Sequence, residues 1–127
     1  MTLLAEDVGD TGGCRGEQVV MYRGGRMRRF YEDEGMNFAV LLSLGFAYAN
    51  VTDVGETLAT IERIPDGDGE AWVREWEATA DRLASLADES LRGGHTVSGR
   101  ARLLRASTYF DHASSMAPGS EDPSRYT

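Results

Sequence analysis

The chain has 127 residues, of which 41% are hydrophobic and 27% charged, so it suits one folded domain with a single core rather than two independent domains. Its formal net charge of -8 argues against nucleic acid as a partner, because phosphate backbones are bound by basic surfaces. Cys14 is the one cysteine, which excludes an intrachain disulfide, and the lack of a long apolar run predicts a cytoplasmic protein with no membrane partner.

The basic residues are biased toward one type. All thirteen are arginine, and lysine is absent. We interpret this bias as the codon usage of a GC-rich genome, which favours a bacterial source.

The first 29 residues are predicted to form a flexible arm or a short β-hairpin. Residues 1–16 are rich in glycine and carry no sustained hydrophobic period, which is typical of a flexible segment. Residues 19–22 and 27–31 flank Gly24-Gly25, and paired glycines accept the positive φ of a tight hairpin turn. Both interpretations place the folded domain after this segment.

A first helix is predicted over residues 36–49. This stretch is apolar nearly all round, so we expect the helix to be mostly buried. Asp33 or Asn37 would supply its N-cap oxygen.

A second helix is predicted over residues 54–64, which Pro65 would end. Its apolar residues Val54, Leu58 and Ile61 share one face. Thr52 or Asp53 would supply the N-cap.

The clearest helical pattern covers residues 70–91. Apolar residues recur there at steps of three and four: Trp72, Trp76, Ala80, Leu83, Ala87 and Leu91. The opposite side is charged, and Gly93-Gly94 would form a glycine C-cap. We expect this helix to be the core of the bundle.

The last helix is predicted over residues 98–115, with Ser98 as its N-cap. Its buried face would consist of Leu103, Ala106, Phe110 and Ala113. Residues 116–127 would form a polar tail. The sequence thus predicts an all-α bundle of about four helices, with residues 30–115 as the helical domain.

The acidic turn before the tryptophan-bearing helix partly fits a calcium loop. Asp66, Asp68, Glu70 and Glu77 occupy the first, third, fifth and twelfth places of an EF-hand loop. Ala71, however, stands where that loop needs its glycine. We therefore interpret the acids as helix-capping residues and predict no metal and no cofactor.

No complete active site is visible in the sequence. The Gly-x-Ser-x-Gly elbow of serine hydrolases is absent. His95 lies near Ser98, but a serine before a helix is more often an N-cap than a nucleophile.

Several segments, read together, resemble a known family. They are Asp53-Val54-Gly55-Glu56-Thr57-Leu58-Ala59-Thr60, Glu62-Arg63-Ile64-Pro65-Asp66-Gly67-Asp68, Trp72, Glu75-Trp76, Ala80-Asp81-Arg82, Gly94-His95, Val97-Ser98 and Leu104-Arg105-Ala106-Ser107-Thr108-Tyr109-Phe110. Their order and spacing are similar to the N-terminal helical region of α/β-hydrolases related to 2,6-dihydroxypseudooxynicotine hydrolase and the fermentation-respiration switch protein. Gly99 departs from the alanine expected at that helix start, which would weaken its first turn.

The resemblance implies a helical cap that packs over a catalytic domain and helps to enclose a small-molecule substrate. The Ser-His-Asp triad of the family belongs to that catalytic domain, which is missing from this sequence. The resemblance therefore implies an architecture and a lid role, but it assigns no nucleophile, acid or base here. A cap of this kind is expected to self-associate or to need a hydrolase-domain partner.

Two alternatives to a cap remain open. One is a small stand-alone lyase, cyclase or isomerase, or a ligand-binding homodimer, with a pocket between the last two helices. Its predicted substrate contacts are Trp76, His95, Arg105 and Tyr109. The other is a homodimeric interaction protein without chemistry.

Overall fold

A computed structural model describes residues 29–126. The described residues form four α-helices and no β-strand, so the predicted all-α fold is confirmed. The α-helices are α1 (Glu34–Phe46), α2 (Val54–Ile61), α3 (Gly69–Arg92) and α4 (Thr96–Ser114), and short 3-10 helices cover Ala47–Ala49, Ala117–Gly119 and Pro123–Tyr126. The arm or hairpin predicted for residues 1–29 lies outside the described part, apart from its last residue.

Helix α3 forms as the sequence predicts. The Asp68 carboxylate accepts a hydrogen bond from the Ala71 N–H at 2.9 Å and caps the helix start. At the other end the N–H groups of Gly93 and Gly94 return to the last turn, and Gly94 has a φ of 81°, which glycine adopts without strain. The predicted apolar stripe is buried except for Leu91, which is 39% exposed.

Helix α4 begins earlier than predicted and turns a different face inward. It starts at Thr96 with His95 at the N-cap position, so Ser98 lies inside the first turn and the prediction of a Ser98 cap is wrong. Ala106 and Ala113 are buried as predicted, whereas Leu103 is exposed. The large rings of Tyr109 and His112 fill the interior instead, because they lie beside α3, where aromatic side chains have ring partners.

Gly99 has a packing role that its low helix propensity hides. A Cβ atom placed on Gly99 would lie 2.6 Å from the Cγ and Cδ2 atoms of Leu91. Glycine therefore allows α3 and α4 to approach closely beside the turn that connects them.

The expectation that the first helix is mostly buried is wrong. Only Met36, Val40 and Ser43 of α1 are buried. An α-helix at the edge of a four-helix unit has one inner face, so apolar residues on its other side stay exposed when nothing among residues 29–126 covers them. Asp33, one of the two predicted caps, accepts the Met36 N–H at 2.8 Å.

Helix α2 is shorter than predicted and buries threonines rather than its apolar face. Val54 and Leu58 are exposed, whereas Thr57 and Thr60 are buried. The Oγ1 atom of Thr57 lies 3.0 Å from Ser43 Oγ of α1, and that of Thr60 lies 2.8 Å from Thr79 Oγ1 of α3. Hydrogen bonding offsets the cost of burying these hydroxyl groups. The pattern of apolar and polar residues in the sequence therefore did not show which face of α2 points inward.

The polar tail contacts α3. The Glu121 N–H donates to the Glu70 carboxylate at 2.9 Å, and the Arg125 guanidinium lies 3.3 Å from Glu70 and 3.1 Å from Glu77. The Tyr126 hydroxyl also donates to Glu77, at 2.7 Å. The domain boundaries at residues 30 and 115 stay predictions.

Candidate functional site

A polar network joins the start of α2 to the middle of α4. Its centre is the fully buried Tyr109, whose hydroxyl donates to the Glu56 carboxylate at 2.8 Å and accepts from the Asp53 N–H at 2.9 Å. Asp53 itself caps α2 through the Glu56 N–H at 2.9 Å. The network therefore fixes the helix start against α4.

Arg105 completes this network. Its Nε atom lies 2.9 Å from one Glu56 carboxylate oxygen and its Nη2 atom 3.3 Å from the other, which is a bidentate ion pair. The two side chains are 21% and 20% exposed, so this ion pair is partly accessible to solvent. A planar guanidinium held in this way is a ready partner for another carboxylate or phosphate.

Tyr109 acts in this network as a hydrogen-bond donor. Burial raises the pKa of its phenol well above the usual value, and the Glu56 carboxylate that accepts its proton raises this pKa further. The phenol therefore keeps its proton at physiological pH. It suits a positioning role better than a role as a base.

A cluster of aromatic rings lies behind the network. The Trp76 ring centroid is 5.2 Å from that of Tyr109, 4.9 Å from that of His112 and 5.7 Å from that of Trp72. The Trp72 indole donates to the His112 carbonyl oxygen at 2.7 Å. Such ring pairs add stabilisation beyond the area that they bury.

Two polar atoms of this cluster are buried without a hydrogen-bond partner among residues 29–126. They are Nε1 of Trp76 and Nε2 of His112. Burial lowers the pKa of His112, with only a smaller opposing effect from Asp111, so the imidazole is kept neutral.

The structure brings three of the four predicted contact residues together. Trp76, Tyr109 and Arg105 form one continuous group through ring contacts and Glu56. His95 lies fourteen residues before Tyr109 on the other end of α4, which corresponds to about 21 Å of helix. Its side chain is exposed, so His95 lies apart from the other three residues.

The sequence reasoning missed Glu56 and His112. Glu56 lies three residues after the capping residue Asp53, in the first turn of α2, where an acid is readily interpreted as a response to the helix dipole alone. His112 lies three residues after Tyr109 and hence on the same face of α4. This three-residue spacing is the feature of the sequence that could have placed His112 beside Tyr109.

The acids of the turn before α3 are engaged in hydrogen bonds. The Asp66 carboxylate accepts from the N–H groups of Glu32 at 2.7 Å and Asp33 at 3.0 Å, and Asp68 caps α3. Glu70 and Glu77 contact the tail. Of the four acids, Asp68 has the predicted capping role, whereas the other three hold the segment before α1 and the tail. No cluster of possible metal ligands occurs within residues 29–126.

Comparison with known proteins shows similarity to fungal hydrolases. The chain is 43% identical over 84 residues to the hydrolase AcrC of Aspergillus aculeatus, a match that covers 66% of this chain and 20% of that protein. It is 33% identical over 84 residues to the 20-hydroxy-prefusarin hydrolase FUS2 of Gibberella moniliformis, covering 66% and 20%. It is 32% identical over 85 residues to the α/β hydrolase GkaG of Penicillium citrinum, covering 67% and 20%. No family model and no solved structure matches the chain.

These matches identify the chain as a relative of the α/β-hydrolases over about two thirds of its own length. The predicted resemblance to hydrolases is thereby confirmed. The chain spans only about a fifth of the length of these relatives. Because the relatives are fungal, they lend no support to the expectation of a bacterial source.

None of the helices within residues 29–126 has the length and apolar character needed to cross a membrane. A cytoplasmic location and the four substrate contacts stay predictions, as does a stand-alone lyase, cyclase or isomerase.

Proposed function

We propose that this chain is a cap-like helical module of an α/β-hydrolase, which packs on a catalytic unit and helps to enclose a small-molecule substrate. The observation that carries the proposal is the match to hydrolases at up to 43% identity over 84 residues, in segments that make up a fifth of those proteins. The all-α fold supports it, because a helical segment beside a catalytic domain suits a covering role.

The Arg105 guanidinium is the proposed substrate contact within this module. It is the one member of the Trp76, Tyr109 and Arg105 group that is partly exposed, whereas the other two are fully buried by this chain. Glu56 fixes the guanidinium, and Tyr109 fixes Glu56. The buried residues would thus orient Arg105 toward a polar group of the substrate. His95 lies too far along α4 to share this contact.

The partner in this proposal is the catalytic unit of a hydrolase. Self-association of two copies is the competing arrangement, because a second copy would also cover exposed apolar surface. A chimaeric enzyme distinguishes the two arrangements: this chain restores activity to a hydrolase only if it packs on the catalytic unit.

A chimaera of FUS2 tests the proposed function. The matched 84 residues of FUS2 would be replaced by the aligned residues of this chain, and consumption of 20-hydroxy-prefusarin would be compared with that by FUS2 from which the segment is deleted. We expect the chimaera to be soluble and active, and the deleted protein to be inactive. A folded chimaera no more active than the deletion would contradict the proposal.

The role of Arg105 needs a separate readout in the same chimaera. Arg105→Ala should raise KM more than it lowers kcat if the guanidinium contacts substrate. Arg74→Ala is the matched control, because Arg74 also pairs with a glutamate, Glu75, on the exposed side of α3. Equal KM values for both variants and the parent would remove Arg105 from the site.

A further inference from the structure

The outer face of α1 is apolar and is not covered by residues 29–126. Phe38 is 65% exposed, Leu42 41% and Phe46 40%. Phe38 and Leu42 point away from the buried Met36, Val40 and Ser43, and Phe46 lies at the flank between the two faces. Helix α1 thus carries apolar residues on two faces, of which one packs inside the described part of the chain. We call Phe38, Leu42, Gly45 and Phe46 the outer face of α1.

Gly45 is a second, independent sign of a partner on this face. The helical spacing places it beside Phe38 and Leu42, and a Cβ atom added to it would meet nothing within 4 Å. Glycine is a poorer helix former than alanine, and no close approach among residues 29–126 requires it. A glycine would be required at position 45 if another protein element packed closely there, just as the close packing of Leu91 requires glycine at position 99.

We propose that the outer face of α1 is the surface that docks on the hydrolase catalytic unit, with Gly45 admitting a closely packed element of that unit. This inference rests on the proposed function. The occupant is the catalytic unit because each relative continues for about four fifths of its length outside the matched segment. The docked surface of the unit is apolar, since Phe38, Leu42 and Phe46 offer no partner for a buried charge.

A second exposed apolar stripe, on α4, fits this role less well. Val97 and Leu104 are exposed there, but Arg100 lines a surface groove together with Leu104. Burial of that arginine would need an acidic partner. The α4 stripe therefore serves as the comparison surface.

The test introduces polar side chains into the two surfaces of the FUS2 chimaera. Phe38→Glu and Gly45→Gln change the outer face of α1, and Leu104→Glu is the matched control on α4. Because Phe38 and Gly45 make no buried contact in this chain, both variants of the separate chain should keep its helical content by circular dichroism. In the chimaera, Phe38→Glu and Gly45→Gln should lower turnover of 20-hydroxy-prefusarin at least about tenfold, against less than about twofold for Leu104→Glu.

The outcomes separate the docking inference from the proposed function. A folded but inactive parent chimaera would contradict the proposed function and therefore also this inference. An active parent whose Phe38→Glu and Gly45→Gln variants match Leu104→Glu leaves the proposed function standing and overturns docking through α1. Light scattering of the full chain adds a third outcome, since a dimer that Phe38→Glu dissociates would assign the face to a second copy.

Discussion

The α3–α4 hairpin and the α1–α2 pair use apolar residues in opposite ways. In the hairpin, Trp72, Trp76 and Tyr109 are fully buried and contact one another through their rings. In the α1–α2 pair, Phe38 and Leu58 are exposed, while threonine and serine side chains share the inner positions with two apolar ones. The hairpin buries its largest aromatic side chains, whereas the α1–α2 pair leaves large apolar side chains exposed.

This difference indicates where the chain's stability lies and where a partner is to be sought. Burial of aromatic side chains is the dominant favourable contribution in a domain of this size. Exposed apolar residues contribute little to folding but much to association. Four measurements test this difference between the two helix pairs.

The largest effect is expected at Trp76. Trp76→Ala should lower the free energy of unfolding by about 3–5 kcal/mol, because it opens a cavity among Trp72, Tyr109 and His112. Phe38→Ala is the matched control and should change it by less than about 0.5 kcal/mol, since Phe38 is exposed. Denaturant unfolding measures both. Similar losses for the two variants would mean that the outer face of α1 is covered.

The next effect concerns the link between α2 and α4. Tyr109→Phe keeps the ring but removes the hydroxyl between Glu56 and the Asp53 N–H, so it should cost about 1–3 kcal/mol. Tyr48→Phe is the control, because Tyr48 is exposed after α1. Thermal unfolding compares the two, and an unchanged midpoint for Tyr109→Phe would show that the network adds nothing to stability.

A pH dependence is expected from His112. Its folded-state pKa lies below the value of about 6.5 for the unfolded chain, so the unfolded chain binds the proton first as pH falls. The stability gained from the neutral imidazole is present above about pH 6.5 and is lost below it, with a slope of at most about 1.4 kcal/mol per pH unit.

The histidine contribution can be isolated by substitution. Unfolding between pH 7.5 and 5.5 should show a shallower loss of stability in His112→Gln than in the parent, while exposed His95→Gln should follow the parent. A parallel loss in all three proteins would assign the pH dependence to other groups.

The smallest effects are expected at two glycines. Gly45→Ala should stabilise the chain by about 0.5–1 kcal/mol, because alanine favours a helix and its Cβ meets open space. Gly99→Ala should not gain this amount, because its Cβ would displace Leu91. Thermal unfolding of the two variants measures both effects. Equal gains in stability would mean that Leu91 moves aside without an energetic cost.

Prediction from sequence succeeded where one face of a helix is apolar. The stripe from Trp72 to Ala87, the Asp68 cap and the Gly94 C-cap each follow from local rules. It failed at α1, where two opposite faces are apolar and periodicity cannot say which is inner. It failed at α2 because hydrogen-bonded threonines replaced apolar residues in the interior.

From the amino-acid sequence one can predict the helices, most of their caps, the core role of the tryptophan stripe and the relationship to hydrolases, because these depend on residues close along the chain or on similarity of the chain itself. Folding was needed to reveal that Glu56 joins Tyr109 to Arg105, that His95 lies apart, and that α1 has an exposed apolar face. Each of these depends on contacts between helices about fifty residues apart or on their absence, and local periodicity carries no information about either.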